Sequence, residues 1–478
     1  MLDIINKTKI DYRPKLHFTP KQNWINDPNG LVYFEDEWHL FFQYNPFGNE
    51  WGHMHWGHAV SKDLLNWEEL PIAIHEDEEY MIFSGSCVID WNNSSGLGDG
   101  KNPPMIAIYT GSAQNWEKQV QCLAISHDKG RTFTKYANNP VLDIGKKDFR
   151  DPKVFWHEDT KKWIMIMANS TENTISIYSS NNLIAWELES NFGPAGLDGK
   201  LWECPDLFAL KVEETNEIKW VLKVDIFERE FEKYSMAQVF IGDFDGKNFE
   251  CEKDENGEFK WQRADYGHDF YASMSWSDVP KNDGRRIWLG WMNSHHYCKN
   301  TPTIPWRGSM TLPRVISLKN VGNSYHIVQT PIQEIQILDK SAVALNTYKN
   351  IEKNAHEFFI EVKKLKKEDA IFALNFEEGE KIIFGYEAQN NSLFIDRSNS
   401  GALSERVEFG AKQSAKRILD CDNLKIHFII DTCSIELFFD DGLIVFSEVF
   451  YVKSPKFKIE CLSPIMAKIT ACALGVHE

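Results

Sequence analysis

Gly30-Leu31-Val32-Tyr33-Phe34, Glu35-Asp36-Glu37, Trp38-His39-Leu40-Phe41-Phe42-Gln43-Tyr44: this stretch decides the fold. Two apolar runs of strand length, rich in aromatic and branched residues, flank an acidic turn, and nothing in them repeats with a helical period. The rhythm returns at Pro104-Met105-Ile106-Ala107-Ile108-Tyr109-Thr110, and from Lys153-Val154-Phe155-Trp156 to Trp163-Ile164-Met165-Ile166-Met167. It comes again at Lys219-Trp220-Val221-Leu222-Lys223-Val224 and Arg286-Ile287-Trp288-Leu289-Gly290-Trp291. Irregular recurrence over several tens of residues predicts the blades of a β-propeller, although periodicity alone leaves their number open.

Near residues 318–338 the Trp-rich pattern stops. Alternating strands follow, such as Glu357-Phe358-Phe359-Ile360-Glu361-Val362 and Ser434-Ile435-Glu436-Leu437-Phe438-Phe439. Asp440-Asp441-Gly442 marks a hairpin turn before Leu443-Ile444-Val445-Phe446. This part predicts an antiparallel β-sandwich. The expected division is a catalytic propeller at residues 12–325 and a sandwich at 338–478. No low-complexity linker separates them, so a closely packed junction is expected.

The 478 residues exceed one ordinary core, which also favours two domains. The net charge of −18 argues against nucleic acid or an anionic membrane as partner, because phosphates would be repelled. Nine Cys without metal-type or paired spacing point to free thiols in a reducing compartment. The N-terminal residues lack an apolar signal core, and no run is long enough to span a bilayer, so a cytoplasmic protein is expected. With 17 Trp, part of the aromatic content is available for stacking on sugar C–H faces, while most of it is expected in β cores.

Three acidic blocks carry the chemistry: Trp24-Ile25-Asn26-Asp27-Pro28-Asn29-Gly30, Phe149-Arg150-Asp151-Pro152 and Trp202-Glu203-Cys204-Pro205-Asp206. Each sets a carboxylate beside an aromatic or Arg and a rigid Pro. Carboxylates held together against apolar rings suit glycoside cleavage, one ionised as nucleophile and one protonated as acid. Taken singly, Asp27 reads as an Asx-turn residue, Asp151 as an ion-pair partner of Arg150, and Glu203 as a strand-edge Glu. Apolar flanks predict that burial raises the Glu203 pKa.

These blocks resemble the nucleophile, Arg-Asp-Pro and Glu-Cys motifs of glycoside hydrolase family 32, the invertases, inulinases and levanases. The likeness extends through Phe41–Phe47, Trp51–His58, Phe83-Ser84-Gly85-Ser86, Asp269-Phe270-Tyr271-Ala272-Ser273 and Pro305-Trp306-Arg307-Gly308. Ile25 and Cys87 depart from the usual pattern. The resemblance implies five blades with the carboxylates converging at one end of the channel, and a C-terminal sandwich. It makes Asp27 the nucleophile, Glu203 the general acid/base and Asp151 the transition-state stabiliser. It implies that Trp24, Asn26, Gln43, Trp51, Phe83, Ser84, Arg150, Tyr271 and Trp306 line or order the fructose pocket. A retaining pair would stand about 5–5.5 Å apart.

The implied activity is a retaining exo-β-fructosidase acting on sucrose, fructo-oligosaccharides or fructans of the inulin or levan type. A cytoplasmic sucrose-6-phosphate hydrolase and a fructosyltransferase are alternatives on the same fold, and a non-catalytic sugar-binding propeller is the alternative from a different functional class. No cofactor is expected. His53 and His55 have strand spacing for a metal pair, but no acidic or thiol ligand joins them locally, so no metal is expected. Linkage preference and oligomeric state stay open.

Overall fold

The computed structural model describes residues 10–197, 199–227, 235–345, 347–365 and 368–475. Among the described residues, seven sheets carry the architecture. In the first, Asn23–Phe34 pairs with Glu37–Asn45, which pairs with His55–Ser61 and then Trp67–Ile74. Phe34 lies opposite Glu37, so the acidic turn contains two residues rather than three. Both Glu35 and Asp36 have positive φ, the twist that suits a tight hairpin.

Four more antiparallel sheets follow in chain order, led by Tyr80–Ile89, Phe149–His157, Leu201–Lys211 and Tyr271–Ser275. Each leading strand packs against those before and after it, and the fifth packs against the first. The result is a closed five-bladed propeller with these strands around the axis. A short strand, Trp306–Arg307, leaves the fifth blade to pair in parallel with Asn23 and Trp24, tying the ring's ends together. Adjacent blades enclose separate apolar cores. Phe41 and Trp56 meet Tyr109 between the first and second blades, and Phe208 meets Trp288 between the fourth and fifth. Burial of those faces supplies the main stabilisation of the ring.

The outer strand of the fifth blade, Ser324–Pro331, carries that sheet past residue 325. A 3-10 turn at Gln333–Ile337 then leads to two six-stranded sheets between Asp339 and Gly475. Their facing sides interdigitate Phe358, Phe372, Phe384, Phe428 and neighbouring Ile and Leu side chains. This is an antiparallel β-sandwich.

The seam between the two parts is apolar and charged together. Leu31, Ile335, Ala355, Ile429 and Leu474 share one cluster. Beside it, Arg314 pairs with Asp265 at 2.9 Å and with Glu436, all fully buried. His17 lies between Asp431 at 2.9 Å and Glu436 at 2.8 Å. Arg397 bridges Asp269 at 2.6 Å and Glu448 at 2.8 Å. A tether would not need such pairing; this seam is fixed. No helix among the described residues is long and apolar enough to cross a membrane.

Candidate active site

All five axial strands break register at one end. In the first, Ile25 faces Tyr44 but Pro28 faces Phe42, so Asn26 and Asp27 fall in a bulge. The second slips between Ile82 and Gly85, around Phe83 and Ser84. The third slips around Asp151, the fourth around Cys204 and Pro205, and the fifth after Tyr271. Bulges re-aim side chains that a regular pleat would point into the blade cores. Asp151, Cys204 and Ala272 take left-handed φ values of 63°, 46° and 53°, a strained geometry for residues with side chains. Pro152 and Pro205 are compatible with these places, since a bulge spares the ladder a missing N–H.

The side chains so delivered surround a cavity of about 90 Å³. At about 10–15 Å³ per water it holds several waters, the scale of one sugar ring. Asp27, Asp151 and Glu203 line it together with Asn26, Gln43 and Ser84. Trp51, Phe83, Arg150 and Tyr271 complete the expected set. Asp27 is clasped from both sides: Ser84 Oγ donates to Oδ2 at 2.5 Å and Asn26 Nδ2 donates to Oδ1 at 2.9 Å. Trp24 is buried behind this pair, its indole N–H donating to Asn26 Oδ1 at 2.8 Å, so it orders the site without lining it.

Glu203 accepts from Arg150 through Nε at 3.1 Å and Nη2 at 2.9 Å on one oxygen, and from the Tyr271 hydroxyl at 2.6 Å on the other. The sequence-based expectation for its pKa is corrected here. Burial does push the carboxyl up, but the Arg150 guanidinium, His295 and the Tyr271 hydroxyl together outweigh it and hold the group below its ordinary value. The raised carboxyl is Asp151. Burial pushes it up to about 7; Arg150 opposes this, and the neighbouring Glu203 and Asp27 charges add to it. The Cys204 backbone N–H donates to Asp151 Oδ2 at 2.9 Å and fixes its direction. Between Asp151 and Glu203, Asp151 is therefore the favoured seat for a proton near neutrality.

Trp306, like Trp24, is an expected pocket residue that does not reach the cavity. Its strand pairing with Asn23 turns the ring into a buried cluster with Tyr297, Phe409 and Tyr451, with Arg13 stacked over it at 5.4 Å. Two neighbours were not foreseen. His295 lines the cavity, edge-on to Tyr271 with ring centres 4.8 Å apart. Trp116 lies 5.7 Å from Trp51 and 6.1 Å from Phe83, extending an aromatic rim. Nothing in the local sequence distinguishes either from a structural aromatic. Behind Glu203, Asp225 sits opposite it in register, ion-paired to Lys223 at 2.8 Å, and burial raises this carboxyl to about 7.

His53 pairs at the surface with Glu76, 2.8 Å away, while His55 bonds the His53 carbonyl at 2.7 Å. Among the described residues no group of three or more His, Cys, Asp or Glu could hold a metal ion. All nine cysteines are free thiols.

A family model described as "Glycosyl hydrolases family 32 N-terminal domain" matches residues 17–331, and "Glycosyl hydrolases family 32 C terminal" matches residues 325–464. Levanase of Bacillus subtilis (strain 168) is 45% identical over 455 residues, covering 92% of this chain and 66% of its own length. The crystal structure of exo-inulinase from Aspergillus awamori superposes with a TM-score of 0.89 at 30% identity, covering 98% of this chain and 99% of that one. A fructofuranosidase variant from Schwanniomyces occidentalis, complexed with fructosylnystose, gives 0.87 at 33% identity over 98% and 99% of the two chains.

Proposed function

The chain belongs to glycosyl hydrolase family 32, and on that premise we propose that it is a retaining exo-β-fructosidase. It removes terminal β-D-fructofuranosyl units from fructans, fructo-oligosaccharides and sucrose. One observation carries the reading: Asp27, Asp151 and Glu203, from three different blades, meet in a cavity the size of a single sugar. A pocket this small suits a single terminal unit; endo attack would need a longer groove open at both sides. The levanase and exo-inulinase among the relatives support a fructan as substrate.

In this reading Asp27, oriented by Ser84 and Asn26, attacks the anomeric carbon and forms a fructosyl ester. Glu203 gives a proton to the departing oxygen and later takes one from the attacking water. Arg150 and Tyr271 hold its two oxygens so that the exchanged proton has one geometry. Asp151 hydrogen-bonds the ring hydroxyls and offsets positive charge as the oxocarbenium-like state develops. The acid step needs a proton, and of Asp151 and Glu203 it is Asp151 that keeps one up to about pH 7, so we infer that turnover declines as pH rises through about 7.

The test is a product time course on levan, inulin, sucrose and sucrose 6-phosphate. Fructose as the sole early product, released first as the β-anomer and absent with Asp27→Ala and Glu203→Ala, supports the proposal. A ladder of oligosaccharides, an α-anomer, or activity surviving both substitutions overturns it. Preference for the 6-phosphate would instead favour the sucrose-6-phosphate hydrolase alternative.

A further inference from the structure

The axial strands run in one direction, so the ends remote from the carboxylates also meet. Asp151 and His157 lie at opposite ends of one strand, roughly 20 Å apart at about 3.3 Å per residue. At the far mouth is a cavity of about 670 Å³, much larger than the one holding the acids. Blades two to five all contribute to it.

Its walls are indoles: Trp91, Trp156, Trp163 and Trp220. Three of them are pinned by their own N–H groups. Trp91 donates to Asp278 at 2.7 Å, Trp156 to Glu158 at 2.8 Å and Trp163 to Ser94 at 2.8 Å. Trp91 is 57% exposed, yet its anchor Asp278 also accepts the Ile89 backbone N–H at 3.0 Å. An exposed ring that only filled space would have no need of such an anchor. A pinned one is a stacking surface prepared in advance, because little rotational freedom is left to lose on binding.

The polar groups suit a ligand without charge. Lys153, Lys281 and Arg286 face Asp90, Glu158, Asp159 and Asp278 around the cavity, a formal excess of one negative charge and no strong field of either sign. Arg286 makes one hydrogen bond, to the Trp276 carbonyl at 3.2 Å, and among the described residues no salt bridge, so it has donors to spare. Flat apolar faces beside hydroxyl-binding donors, in a volume within the usual range for ligand sites, describe a saccharide.

We propose that this far cavity is a second, non-catalytic carbohydrate site that takes a neutral oligosaccharide of several units. That the saccharide is fructan-like rests on the enzymatic reading above. The site would retain the protein on a polymer while a chain end occupies the opposite mouth.

The test uses the full chain. Calorimetry of Asp27→Ala with a fructo-oligosaccharide should show two binding events. Adding Trp91→Ala, or separately Trp156→Ala, should weaken one of them about tenfold. In the otherwise native protein, Trp91→Ala should keep sucrose turnover within about twofold and lose retardation in levan-containing native gels. One binding event in Asp27→Ala, or two that neither Trp substitution alters, overturns the proposal; so does a second event displaced by inorganic phosphate. Failure of the enzymatic reading shows separately, as absence of fructose release by the native chain.

Discussion

The mouth of the propeller and the seam against the sandwich both bury acidic side chains, and they treat them in opposite ways. At the seam every acid meets a cation: Glu436 has Arg314 and His17, while Asp269 and Glu448 share Arg397. At the mouth Asp27, Asp151 and Glu203 share Arg150, which bonds Glu203 alone among them. At the seam Arg314 and Arg397 offset much of the burial that pushes Asp265 and Asp269 up. The mouth buries Asp151 without a cation of its own, so burial first, and the neighbouring Glu203 and Asp27 charges after it, push that carboxyl up to about 7. Buried acid is therefore structural or chemical according to its count of partners, and burial alone does not decide between them.

The largest effect that would break this contrast is on turnover. Asp27→Ala and Glu203→Ala should each cut fructose release by about a thousandfold or more, with the thermal midpoint unchanged or higher in Asp27→Ala, which strands no cation. An Asp27→Ala protein that lost stability instead would place the mouth in the same class as the seam. Next, Glu436→Gln should cost about 3–5 kcal/mol in denaturant unfolding, because Arg314 and His17 lose their shared charge, while kcat of the folded fraction stays within about twofold.

Asp151→Asn sharpens the comparison further. The folded-state pKa of Asp151 lies near 7, above its ordinary 3.8, so folding becomes less favourable as pH rises between those values. Removing the charge should add about 1–2 kcal/mol at pH 8 while lowering kcat, as read by urea midpoints and initial rates. The two regions also answer pH differently. His17 is raised to about 9: burial opposes the shift, but Asp431 and Glu436 outweigh it. Its contribution is present below about 6.5 and lost as pH rises through 9. Activity should therefore fade near pH 7, while the stability that His17 lends the seam declines between about 6.5 and 9, in paired rate and melting profiles. The smallest effect is at the rim, where Trp51→Ala should raise KM several-fold and Trp306→Phe should leave it unmoved.

The strands were legible because their signals are local: an apolar run beside a turn needs no distant partner to be read. The acidic blocks were legible only through their resemblance to a family, since Asp27 before Pro28 reads by itself as a turn residue. The direction of the Glu203 pKa was not legible, since the guanidinium that sets it lies 53 residues away in the chain. Trp306 misled for a related reason: it stands in a recognisable motif, but pairing with Asn23 decides where its ring goes. The seam was invisible residue by residue. His17, Arg314, Arg397 and Glu436 are unremarkable until folding brings them within hydrogen-bonding distance.

Asp269 and Tyr271 are two positions apart, one gripped by Arg397 of the sandwich and the other bonded to Glu203. A sideways slip of the second domain would thus be felt at the phenol as a change in where it points. The sandwich acts as a keel for the reaction centre: it touches no sugar there, and shaving it away would leave the acid without a steady bearing.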